Sequence, residues 1–147
     1  MIHHIFVVTF LVSLLHLHIK ADSQVRHVPT QPPPDSRPVF TYAICNNIQR
    51  PHFTESIQLK VIPHLYLIDY MEIACKTASD RFTKFSATYY PSVPGYFIDS
   101  INGLAGNWAD NKTYWRLLNN NSSTSVGASD LDPKPGDNVV FMFTKAG

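Results

Sequence analysis

A chain of 147 residues, 44% hydrophobic and with a formal charge of +1, holds enough apolar material for one hydrophobic core and too little for two. Twelve basic residues against eleven acidic ones, with no basic run, exclude a phosphate-tracking groove and therefore a nucleic-acid partner. Two cysteines and no recognisable ligand spacing exclude a zinc site, and no metal is expected.

The apolar run at residues 5–17 has signal-peptide length and is too short for a membrane span. Ala21 and Ser23 stand at the small-residue positions a signal peptidase reads, so residues 1–23 are expected to be a leader cleaved after Ser23, or alternatively after Ala21. The product is expected to be secreted and extracellular. Residues 24–38, QVRHVPTQPPPDSRP, are a Pro-rich linker: proline fixes φ and removes the amide donor, which favours an extended spacer that builds no core. Residues 39–147 remain as a single domain, in which nine Lys and Arg balance nine Asp and Glu.

In that domain, residues 40–48 (FTYAICNNI) alternate aromatic and β-branched side chains and predict a first strand, ended at Arg50-Pro51. Residues 56–62 (SIQLKVI) set Ile57, Leu59 and Val61 against Gln58 and Lys60, the period of a half-buried strand. The period then lengthens. Leu67, Tyr70, Met71, Ala74, Cys75 and Ala78 form one stripe of an amphipathic helix, with Asp69 and Glu72 near the positive end of its dipole. Alternation returns over residues 82–90 and again over Tyr96–Ile101. Asn102-Gly103 tolerates the positive φ of a primed turn, and residues 113–118 are expected to pair back on the strand before it as a 96–118 hairpin. A last strand covers residues 138–144 (NVVFMFT). The order β-β-α-β-β-β-β predicts an α+β, two-layer domain of β-grasp type, one helix on a mixed sheet.

Cys45 and Cys75 are an even pair in an exported chain and are expected to be bridged, because a thiol on the helix's buried stripe can face the first strand. Closing that loop would contribute about 3–4 kcal/mol. Asn111, Asn120 and Asn121 head N-glycosylation sequons, of which the adjacent two can hardly both carry a glycan.

Catalytic motifs are missing. His52 and His64 are the domain's only histidines, there is no His-Glu-x-x-His or Gly-x-Ser-x-Gly, and Asp69 with Glu72 reads as a solvated first turn. Asp130, Asp132 and Asp137 lack the closing glutamate of a calcium loop and read as a turn. No catalytic residue and no catalytic cofactor are expected, and the chain is read as a non-enzyme. The aromatic residues carry more information: Tyr96, Phe97, Tyr114 and Trp115 put adjacent rings on opposite strand faces, and only one face can meet the helix.

Leu67-Ile-Asp-Tyr-Met-x-x-Ala74, Gly95-Tyr-Phe-Ile-Asp-Ser-Ile-Asn-Gly103, Asn111-Lys-Thr-Tyr-Trp-x-Leu-Leu118 and Gly136-Asp137 together resemble the small C-terminal domain of the vertebrate cobalamin carriers, intrinsic factor and transcobalamin. The likeness runs from about Ile57 to Phe143. It implies a β-grasp lid that closes over one face of a corrin ring. At the matching positions it implies a ligand-facing surface of Tyr96, Ser100, Ile101 and Asn102 with Trp115, Leu117 and Leu118, cobalamin being the implied ligand. The helical domain that holds the rest of the ring in that family has no counterpart here, so a companion helical-domain protein, a dimer or a cell-surface receptor is the implied partner. The alternative is an extracellular protein–protein interaction module that binds no small molecule.

Overall fold

The computed structural model describes residues 36–91 and 95–147; the expected leader, residues 1–23, and most of the expected linker lie outside them. One sheet is mixed and has five strands, β2 (Phe53–Lys60), β1 (Val39–Asn46), β8 (Asn138–Lys145), β6 (Thr113–Asn119) and the short β7 (Ser122–Ser123), in that spatial order. β1 and β8 run parallel at its centre, and the other neighbours are antiparallel. A second, antiparallel sheet holds β3 (Phe85–Tyr89), β4 (Tyr96–Ile101) and β5 (Leu104–Ala105). Helix α1 (Leu67–Thr77) and the single turn α2 (Trp108–Asn111) complete the described elements.

Strand parity decides what is buried. Phe40, Tyr42 and Ile44 of β1, Val139, Phe141 and Phe143 of β8, and Trp115 of β6 form one core with Leu67, Tyr70, Met71 and Ala74 of α1. Burying each large apolar side chain contributes about 1.5–3 kcal/mol. The rings mesh edge to face: Phe40 meets Tyr70 with centroids 4.8 Å apart and planes at 77°. The Tyr70 phenol, buried with the rest, is satisfied on both sides, accepting from the Ile62 N–H at 2.7 Å and donating to the Ile62 carbonyl at 3.1 Å.

The helix start is held by its surroundings. The Asp69 carboxylate accepts from the Tyr66 N–H at 2.9 Å, while the N–H groups of Leu67 and Ile68 donate to the carbonyls of Leu131 and Ala128. Asn46, fully buried at the end of β1, folds the next turn by accepting from the Ile48 and Gln49 N–H groups and donating to the Gln49 and Pro51 carbonyls.

The α+β class stands, but the single sheet and the 96–118 hairpin do not. β4 turns at Asn102-Gly103, with φ of 51° and 81°, and pairs with β5 for two residues only. β6 joins the other sheet, where Trp115 and Leu117 stand opposite Phe143 and Phe141 of β8. The reason is apolar matching: the buried positions of β6 find their complement in β8, and the polar loop between β5 and β6 is long enough to let the chain change sheets.

The expected Cys45–Cys75 bridge is not formed; both are free thiols. Cys75 packs against the core, whereas Cys45 alternates with the buried Tyr42 and Ile44 and so leaves β1 on the opposite face, its sulfur accepting from the Thr54 hydroxyl at 3.4 Å. The sheet stands between them. Burial, followed by the nearby Glu72 carboxylate, pushes the Cys75 thiol up, which lowers its reactivity further.

Asp137, in the turn before β8, accepts from the Lys134 N–H at 2.9 Å and from the side-chain amides of Asn119 and Asn120 at 3.1 and 3.0 Å. Burial raises its pKa, but these hydrogen bonds and the Lys134 charge outweigh that and hold the carboxyl below its usual range. A depressed folded-state pKa gives stability that is present above the unfolded value of about 3.9 and is lost as pH falls through the folded value. Asp137→Asn is therefore expected to lower the urea midpoint at pH 6, and the gap to the parent protein should close as the pH is taken below about 4; a gap independent of pH would contradict this role.

Candidate functional site

The site is assembled where the two sheets come together. β4 carries a bulge against β3: Ser100 is opposite Ser86 and Ile98 opposite Ala87, which leaves Asp99 without a partner. The extra residue changes the parity of the strand. Ile98 and Ile101, three apart, both reach the core, and Tyr96 and Phe97 emerge 42% and 47% exposed. The Asp99 carboxylate accepts from the Thr88 hydroxyl at 2.7 Å, and its carbonyl accepts from the Gly106 N–H at 3.0 Å.

Gly106 brings β6 close. A Cβ placed there would meet the Thr113 carbonyl oxygen at 2.8 Å and the Tyr114 Cα at 3.0 Å, both backbone atoms, so only glycine allows the strand-to-strand crossing. Next, Asn107 caps the α2 turn by accepting from the Asp110 N–H at 3.0 Å. The turn ends at Lys112 in the left-handed region, φ 58°. This places Trp108 beside Tyr114, with centroids 5.8 Å apart and planes at 74°, and the Lys112 ammonium 5.3 Å from the indole centroid.

Two adjoining clefts result. The first, about 520 Å³, lies among Tyr90, Phe97, Trp108 and Tyr114, with Asp99 and Thr113 as its polar groups. The second, about 510 Å³, follows the seam between β4 and β6 and is lined by Tyr96, Trp115, Arg116 and Leu117 together with loop residues 127–128. Phe97 and Tyr114 line both. The exposed rings are braced in pairs, Tyr89 with Tyr96 at 5.5 Å and Tyr90 with Phe97 at 6.3 Å. A cleft of this size with mostly aromatic walls and few polar groups, as the first is, suits small-molecule binding, whereas the second is more polar, with Arg116, Ser123 and Thr124 in its lining. Among the described residues no cluster of three His, Cys, Asp or Glu side chains is placed to hold a metal ion.

Of the sequence-expected positions, Tyr96, Trp115 and Leu117 meet at the second cleft. Trp115 serves mainly the core: it is 4% exposed, its indole N–H donates to the Leu104 carbonyl at 2.9 Å, and its ring packs 5.0 Å from that of Phe143. The other four do not join them. Ile101 is a core residue, and the Ser100 hydroxyl bonds the Ser86 hydroxyl at 2.6 Å. Asn102 pins its turn to the loop before β3, accepting from the Thr83 N–H at 2.9 Å and donating to the Arg81 carbonyl at 2.7 Å. Leu118, opposite Val140 in β8, belongs to the other face of the five-stranded sheet. Tyr90, Asp99 and Trp108 are lining residues that sequence reasoning missed; for Trp108 the signal was a tryptophan inside a polar loop, where no core pattern accounts for it.

The sequon asparagines differ in how their amides are used. Asn111 accepts the Thr113 hydroxyl at 2.6 Å through its oxygen. Asn120 is committed at both ends, accepting from the Asn138 N–H at 2.9 Å and donating to Asp137 at 3.0 Å. Asn121 is exposed.

A family model described as a domain of unknown function, DUF4430, matches residues 67–145. No curated protein matches the chain. Among solved structures, haptocorrin in complex with Cbi is similar with a TM-score of 0.60 and 24% identity, over 73% of this chain and 25% of that one. A provisionally designated metal-binding protein of Ruminococcus gnavus is similar with a TM-score of 0.54 and 10% identity, over 76% of this chain and 100% of that one. The chain thus spans about a quarter of the haptocorrin chain. At these identities the likenesses show a shared fold.

The two tryptophans should separate core from rim in urea unfolding. Trp115→Ala is expected to cost about 3–5 kcal/mol, as for other buried aromatics, and Trp108→Ala to stay within about 0.5 kcal/mol. Gly106→Ala is expected to cost about 1–3 kcal/mol through forced backbone displacement. Equal losses for the two tryptophans would remove the distinction on which the clefts are defined.

Proposed function

The chain belongs to the DUF4430 family, and from that membership and its fold we propose that it is a secreted, non-enzymatic binding domain, a cobalamin-carrier-like lid that covers one face of a flat corrinoid ligand. The observation that carries this reading is the exposed aromatic edge of β4, Tyr96 and Phe97, beside the seam cleft that Trp115 and Leu117 floor. A corrin is a broad apolar ring edged with amides. Aromatic faces cover such a ring, while Arg116, Ser123 and Thr124 along the same cleft supply polar groups for its edge. Haptocorrin, the carrier whose fold it shares, is in complex with Cbi.

A lid covers a single ligand face, and the loss of translational and rotational freedom on association consumes much of what that contact gains. A companion helical-domain protein or a receptor supplies the second face in this reading. The protein is exported and carries glycans at Asn111 and Asn121, because the Asn120 amide is already committed to Asp137 and Asn138.

Hydroxocobalamin added to the purified protein should shift its visible bands and quench tryptophan emission at concentrations up to about a millimolar, equivalent to roughly 4 kcal/mol. Tyr96→Ala and Phe97→Ala should each weaken the response about tenfold, or about 1.4 kcal/mol. No spectral change in this range would sink the corrinoid reading for the isolated chain. The exposed aromatic edge would then be assigned to a protein partner, and the same two variants would be compared for its capture.

A further inference from the structure

The first cleft has a chemistry of its own. Four aromatic side chains, Tyr90, Phe97, Trp108 and Tyr114, wall a space of about 520 Å³. The planes of Tyr90 and Phe97 stand at 80°, and those of Trp108 and Tyr114 at 74°, so each pair turns one ring roughly across the other. Asp99 is the one acidic residue in the lining, which holds no Lys, Arg or His. One of its oxygens takes the Thr88 hydroxyl, and no cation pairs with it among the described residues. The bulge in β4 is what delivers it there, since Asp99 is the residue left without a partner in β3.

Negative ring faces and a carboxylate with no cation paired to it among the described residues are complementary to positive charge spread over an apolar surface. The protein already shows the attraction: Lys112, which does not line the cleft, holds its ammonium 5.3 Å from the centroid of the Trp108 ring. Gly106 and Ala105 leave room between the walls, and the volume suits a small organic molecule better than a bare metal ion.

We propose that this cleft binds an organic cation, an alkylated ammonium whose charge lies beside Asp99 and whose apolar body lies among Tyr90, Phe97, Trp108 and Tyr114. The ring faces take the charge without the strong desolvation that a primary ammonium would suffer, and the carboxylate makes the site selective for charge over shape. This site does not rest on the corrinoid reading, although Phe97 and Tyr114 are shared with the seam cleft.

The test uses the full chain and two probes, benzyltrimethylammonium and neutral benzyl alcohol, followed by tryptophan emission and by proton chemical shifts of the bound probe. The cation should saturate the protein at concentrations up to about 10 mM and bind at least about tenfold more tightly than the alcohol. Asp99→Asn, which keeps an acceptor for Thr88, should lower the affinity for the cation about tenfold and leave that for the alcohol unchanged. Trp108→Leu alters an exposed residue that the fold does not need and should also weaken the cation, which keeps the test decisive if Asp99→Asn unfolds. Equal affinity for both probes, an unchanged cation affinity in folded Asp99→Asn or in Trp108→Leu, or no saturation by the cation would each overturn the proposal. Cation binding with no response to hydroxocobalamin would leave this inference in place and remove only the corrinoid reading.

Discussion

The close passage of Gly106 against Thr113 sets where both clefts lie. At that point the chain leaves the small sheet and enters the large one, with backbone meeting backbone at a distance a side chain would forbid. β4 and β6 therefore run as neighbours without being hydrogen-bonded partners, and the space between them opens into clefts instead of closing into a ladder. A hydrogen-bonded hairpin in the same place would have satisfied more backbone groups and left no room for a ligand.

The division of labour between the aromatic residues follows from this seam. Trp115 points inward from β6 and spends its indole N–H on the Leu104 carbonyl, tying the large sheet to the small one. Trp108, a few residues earlier, sits on a single helical turn with more than half of its surface free. The first resists removal because a void and an orphaned carbonyl would remain; the second, braced by Tyr114 and Lys112, keeps most of its surface free to interact. Tyr96 and Phe97 lie between these extremes, anchored through strand pairing to β3 while their rings face outward.

Much of the fold was legible. The helix over 67–77, the strand Tyr96–Ile101, the Asn102-Gly103 turn and the last strand follow from period and turn chemistry, which are local properties. What was not legible is partnership. Alternation says that Thr113–Asn119 is a strand with Trp115 inward, and it is silent on whether β4 or β8 lies opposite, because both bury apolar side chains, Ile98 and Ile101 in β4 and Val139, Phe141 and Phe143 in β8. The bulge at Asp99 was hidden for the same reason, since an unpaired residue is defined only by its neighbour strand. Of the positions the family likeness implied, Tyr96, Trp115 and Leu117 line one cleft, whereas Ser100, Ile101, Asn102 and Leu118 lie outside it. The bridge between Cys45 and Cys75 failed on parity, since Tyr42 and Ile44 face the helix and the residue after them cannot.

That separation of the two thiols has a consequence for how the domain endures. With no covalent staple among the described residues, the native state is held by side-chain meshing, by the strand ladders on either side of the parallel central pair and by hydrogen bonds such as those of Tyr70 and Asp137. Its unfolded chain keeps full freedom, so persistence is indifferent to reductant and rests on the fit of Phe40, Tyr70, Phe141 and their neighbours.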